Sequence, residues 1–260
     1  MTAPLNSESG FTLVELILVI VITGILAVVP FAFIHRPIEG QLDVERRAAL
    51  VDSAGATLLR MRRELRQALP NSVRLIDGGL GIEFLHTVAG GRYRAQGPGD
   101  ILDLTQADDS FEVLGGLRAA PPAGSHAVIY NLASSGTQGN AYSGDNRAAI
   151  DAAGSSAGQI RLVSGTKFPR SSPARRVFIV SGPVCYRFEA GAILRYAGYG
   201  MGGGCPSSGG DILAADVASA SFRYQAGTNW RAGLVTMELT LEREGERLTL
   251  LHQAHVVNAP

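Results

Sequence analysis

Residues 10–34 read GFTLVELILVIVITGILAVVPFAFI. As a helix rising 1.5 Å per residue, the apolar run from Phe11 to Ile34 is long enough to cross a hydrocarbon core of about 30 Å. One charge interrupts it, Glu15. A carboxylate at the centre of such a helix costs roughly 2.5 to 3.5 kcal/mol, less near its end, so Glu15 calls for an explanation. Either its position one turn inside the run lets it reach toward the headgroups, or the charge has a task. A secretory signal peptide is the competing reading. Against it, the run exceeds a typical h-region, and no small-residue cleavage site occurs before His35 and Arg36.

Beyond this run, Pro30 and Pro37 are expected to kink or locally unwind the helix, because each removes a backbone donor and clashes with the preceding turn. Val51, Ala54, Leu58, Met61, Leu65 and Ala68 then recur at spacings of three and four, which places them on one helix face, packed on the domain C-terminal to it. Arg46, Arg47, Arg60, Arg62, Arg63 and Arg66 alternate with Asp43, Glu45, Asp52 and Glu64. The set reads as a solvated face rather than an anion site.

Pro70-Asn71 stops the helix, and the period changes. Val73–Ile76, Gly81–His86, Ala127–Leu132 and Val177–Val180 read as strands. Leu234–Arg243 and Arg247–Val257, joined at Gly245, read as a β-hairpin. Residues 133–158 are rich in Gly, Ser and Ala and read as a long surface loop. The fold class is therefore α+β, a long N-terminal helix, first apolar and then amphipathic, packed on an antiparallel β-sheet domain. The segments are a leader at 1–10, an apolar helix at 11–34, an amphipathic stem helix at 35–69 and one β-rich domain at 70–260.

The chain has 260 residues and is 46% hydrophobic, ample for a packed core. Lys plus Arg (23) balance Asp plus Glu (23), so no basic field exists to hold nucleic acid. Cys185 and Cys205 are the two cysteines. Outside the cytoplasm they would form one disulfide worth about 3 kcal/mol; inside it they would be free thiols.

Gly198, Gly200 and Gly203 spell GxGxxG, yet Cys205-Pro206-Ser207-Ser208-Gly209 stands where a dinucleotide site needs a helix, so they read as loop. His252 and His255, three apart in a predicted strand, point to opposite faces and read as structural rather than as metal ligands. Trp230, with Tyr224 and Arg231 nearby, reads as core packing rather than a ligand contact. No HExxH, GxSxG or P-loop sequence appears. No enzyme activity, metal or cofactor is expected.

The pattern Gly10-Phe11-Thr12-Leu13-Val14-Glu15 resembles the processing site of type IV prepilins and of the pseudopilins of type II secretion. The resemblance implies cleavage between Gly10 and Phe11 by a membrane-embedded prepilin peptidase and N-methylation of Phe11. It also implies a role for Glu15, now the fifth residue, in neutralising the amino group of a neighbouring subunit. Physics favours such pairing, since opposite charges attract far more strongly in low dielectric than in water, and an unpaired buried charge penalises the wrong axial register. A subunit that keeps this Glu should sit beneath another in the fibre. The leader MTAPLNSESG departs from the family in having no Lys or Arg. With His35 and Arg36 beyond the run, charge alone favours the opposite orientation, so the topology rests on the resemblance.

Within that family, LLRMRRELRQALPNSVR at 58–74 and VITGILAVV at 21–29 are most similar to MshO-like minor pilins of MSHA biogenesis. The implied protein is a minor pilin that primes or caps a pilus. It would be a single-pass inner-membrane protein with a periplasmic domain, later carried into the fibre. Its partners would be other major and minor pilins, the peptidase and the inner-membrane assembly platform. The alternatives are a pilus-tip adhesin and a minor pseudopilin of a type II secretion system.

Overall fold

The computed structural model describes residues 10–227 and 231–260, with side chains at 28–43 excepted. Residues 1–9 of the leader and Trp230 lie outside the described residues. The chain divides into two compact units, Met1–Ala49 and Leu50–Pro260.

The long N-terminal helix is a single element, α1 (Leu13–Leu65), 53 residues long, which runs through both the apolar and the amphipathic segments. It continues through Pro30 and Pro37 without local unwinding. A proline withholds only its own N–H, so the turns on either side can keep their bonds at a cost of about 3 kcal/mol per proline. The helix ends at Leu65, five positions before Pro70.

In the second unit, Leu50, Ala54, Leu58, Met61 and Leu65 form the buried stripe, with Ala68 just beyond the helix. Val51, expected on this stripe, is 41% exposed and Leu50 takes its place. The reason is Thr57: it is buried, and its Oγ1 donates to the Leu213 carbonyl at 3.0 Å. That contact rolls the stripe toward the side carrying Leu50.

The remainder is antiparallel β. Two long strands, β2 (Gly81–Tyr93) and β7 (Arg176–Glu189), form the central ladder of a 9-stranded sheet. Register irregularities at His86–Ala89, opposite Gly182 at φ 128, bend this ladder in the middle. Beside Gly81 the ladder carries β1 (Arg74–Ile76), β8 (Ala192–Ala197) and β9 (Asp211–Ala214). Beyond the bend it carries β3 (Asp108–Leu114), β4 (His126–Ile129), β5 (Arg147–Ala149) and β6 (Gln159–Thr166). A second sheet of three strands has the order β10 (Val217–Gln225), β11 (Gly233–Arg243) and β12 (Glu246–Val256).

The bend divides the core. Ile82, Phe84, Val184 and Tyr186 pack with the helix stripe and with Phe222, Val235, Met237 and Leu239 of the second sheet. Tyr93, Phe111, Ile160, Val177 and Ile179 form a separate cluster beyond the bend. The expected hairpin is present: Arg243 pairs with Glu246 across Glu244 (φ 52) and Gly245 (φ 87), the two positive φ values of a type I′ turn.

Two other expectations are corrected. The strand expected over Ala127–Leu132 is β4, His126–Ile129, and it stops at Tyr130, whose φ of 54 leaves the extended region. Residues 133–158 are more than a surface loop. They contain β5, and Asn140, Ala141, Tyr142, Asn146 and Ile150 are buried. The Asp145 carboxylate accepts from the N–H groups of Gly139 and Asn140, at 2.6 and 3.0 Å, and folds the segment back on itself.

Candidate functional site

Helix α1 starts where its sequence caps it. Thr12 stands before the first helical residue: its Oγ1 accepts from Glu15 N–H at 3.3 Å and its carbonyl from Leu16 N–H at 3.1 Å. Thr12-x-x-Glu15 is thus the spacing of a capping box, a position that suits a Glu side chain apart from any pairing of its charge. An acidic group in the first turn also suits the positive end of the helix.

The surface of the next two turns is unusual. Seven consecutive residues, Leu16 to Ile22, are all apolar and between 47% and 63% exposed. Successive residues step about 100° around a helix, so seven in a row leave no polar face. A helix apolar on every side requires lipid or protein around it. Among the described residues, no helix is long and apolar enough to cross a membrane. The described side chains of this run end at residue 27, and the part from Leu13 spans about 22 Å against roughly 30 Å of hydrocarbon.

Gly10, Phe11 and Glu15 therefore come together at an exposed, capped helix start, with Phe11 75% exposed. Cys185 and Cys205 are joined in a disulfide, with Cα atoms 5.9 Å apart. Gly198, Gly200 and Gly203 lie in the loop that it closes, between β8 and β9, with no helix after them. His255 is exposed while His252 is half-buried, as alternation along β12 requires. Tyr224 packs partly against the main core.

Two polar clusters are not apparent from the sequence. Glu64, expected on a solvated face, instead accepts from Arg195 Nε of β8 at 3.0 Å and from Arg60 Nε at 3.3 Å. Burial acts to raise the Glu64 carboxyl, but Tyr186 and Arg195 outweigh it and hold it below the usual carboxylate range. The Tyr186 hydroxyl is buried beside this carboxylate without good hydrogen-bond alignment, so the Arg195 bond is the firm contact.

Glu83, 1% exposed near the start of β2, accepts from Arg74 Nε at 2.5 Å and from the Tyr199 hydroxyl at 2.7 Å. Arg74 stacks 3.9 Å over the Tyr142 ring, whose hydroxyl donates to the Ser72 carbonyl at 3.1 Å. Burial first, and then the Glu83 carboxylate, push the Tyr199 and Tyr142 phenols far above their ordinary value. Tyr199 lies inside the disulfide loop, and Cys185 stands opposite Glu83 in the ladder, so one buried carboxylate anchors the loop that the disulfide closes. Apart from Arg60–Glu64, which is an i,i+4 pair on α1, none of these pairings is visible in sequence, because each joins residues that only the tertiary fold brings together.

The chain matches the prokaryotic N-terminal methylation motif over residues 5–29. No curated protein and no solved structure matches it. The motif is a type IV pilin-like signal, and it falls on the capped start of α1 and the apolar turns from Leu16 to Ile22. It supports a pilin or pseudopilin reading of the chain, with partnering of the general kind such proteins have.

Proposed function

We propose that the chain is a minor pilin of a type IV, MSHA-type pilus. The prepilin peptidase cuts it after Gly10 and Phe11 is N-methylated. Residues 11–34 then hold it in the inner membrane until its helix enters the fibre bundle beside other pilins, delivered by the assembly platform. The observation that carries this reading is the methylation motif over residues 5–29, set on a helix whose described start is apolar on every side. A stripe of α1 packed on antiparallel sheet in the second unit agrees with it.

In this reading Glu15 supplies the charge that pairs with the Phe11 amine of a neighbouring subunit, and an unmatched carboxylate disfavours a slipped helix. Glu15 also stands three residues after the Thr12 cap, the capping-box position, where Gln serves as well as Glu, so two substitutions separate the roles. Glu15→Gln removes the charge and keeps a side chain suited to a capping box; Glu15→Val removes both, while the bond from the residue-15 N–H to Thr12 Oγ1 is retained. Both variants should be cleaved after Gly10, and both should be depleted from sheared fibres when quantified against a co-purified major subunit. Normal incorporation of Glu15→Gln would show that the cap, not the charge, matters.

A further inference from the structure

We propose that the second unit carries a binding site for an acidic sugar, in the cavity between β2, β7 and the segment after β12. The cavity measures about 410 Å3 and is lined by Gly90, Arg92, Arg176, Phe178, Val257 and Ala259. That volume is of the size that holds a small ligand. The ladder sets Arg92 directly opposite Arg176, and like charges in that relation oppose strand pairing. Among the described residues no carboxylate forms an ion pair with either guanidinium, whereas nearby Arg94 is matched by Glu112 at 2.6 Å.

Arg176 is already positioned. Its Nη1 donates to the Ala259 carbonyl at 2.9 Å, which uses one of five guanidinium donors. Two guanidiniums on one face suit a carboxylate, which accepts paired N–H groups in plane.

The neighbouring ladder pair, Gly90 opposite Phe178, supplies the apolar part. Gly91 is required by packing, since a Cβ there would stand 2.5 Å from Val113 Cγ1. Gly90 is not: a Cβ would meet its nearest atom, Phe178 Cδ1, at 3.4 Å, and its φ is not positive. A strand glycine that neither packing nor backbone demands marks a place where something approaches closely. Here it leaves the half-buried Phe178 ring, which packs against the cluster of Leu85, Val128 and Val180, uncovered by any side chain from residue 90, beside Val257, which is 60% exposed. A uronic acid matches both halves: the C–H face of its ring lies on Phe178 and its carboxylate meets the arginines.

The inference uses the second unit alone, so it stands or falls separately from the fibre reading. The test is titration of the detergent-solubilised full chain with trigalacturonate, and with maltotriose as the neutral counterpart, by isothermal calorimetry. Saturable binding of trigalacturonate at least about tenfold tighter than maltotriose is expected. Arg92→Gln and Gly90→Val should each weaken it by about tenfold or more, and Arg92→Gln should do so without lowering the thermal midpoint, since it relieves a like-charge pair. Absence of saturable binding, equal binding of the neutral sugar, or full retention in Arg92→Gln would overturn the proposal.

Discussion

At Glu64 a single side chain ties the helix to the sheet, and its charge state carries a pH dependence. Its folded-state carboxyl lies below the usual range, so the unfolded chain binds the proton more readily. The Arg195–Glu64 contribution is therefore fully present above the unfolded carboxylate value, near 4.3, and is lost as pH falls through the lower folded value. Thermal unfolding followed by circular dichroism between pH 7 and pH 3 should show a steeper acid limb in the native chain than in Glu64→Gln. Identical slopes would mean that Arg195 contributes nothing through this charge. Glu83 differs in kind, being buried between Arg74 and Tyr199, so removing Arg74 leaves a buried carboxylate without its counter-charge.

Among the elements, the C-terminal part of α1 is the most legible in the sequence. Leu58, Met61 and Leu65 repeat at helical spacing and are fully buried. Leu58→Ala should destabilise the second unit by about 2–5 kcal/mol, the range for deleting a buried leucine side chain, as measured by denaturant unfolding. Leu59→Ala, at a half-exposed position one residue along, should have far less effect. Val51 departs from expectation because spacings of three and four admit either Val51 or Leu50, and tertiary contacts, the Thr57 bond to Leu213 among them, choose between them. The hairpin β11–β12 is legible from alternation around Gly245. Strands β5 and β9, of three and four residues, are too short to show a period, and their pairing decides them. β6 does alternate, with Ile160 and Leu162 buried, so its sequence carries a strand signal that the Gly- and Ser-rich surroundings mask. The capping box at Thr12–Glu15 is likewise local and legible, while the Glu83 cluster is not, since its members are spread from Arg74 to Tyr199.

For the molecule as a whole, the disulfide and the N-terminal motif bear on the same question of compartment. Cys185–Cys205 closes the loop that Tyr199 fastens to Glu83. Replacing both cysteines by serine should cost about 3 kcal/mol in denaturant unfolding and should open the loop to limited proteolysis. A bonded pair of this kind persists in oxidising surroundings, which agrees with a domain exported from the cytoplasm. The central claim is that processing occurs between Gly10 and Phe11. Mass spectrometry of the N-terminal peptide, from protein extracted from membranes of its native host, addresses this without assuming any later step. A chain beginning at N-methylated Phe11 is the expected result; a chain that retains Met1 and the intact leader would contradict it.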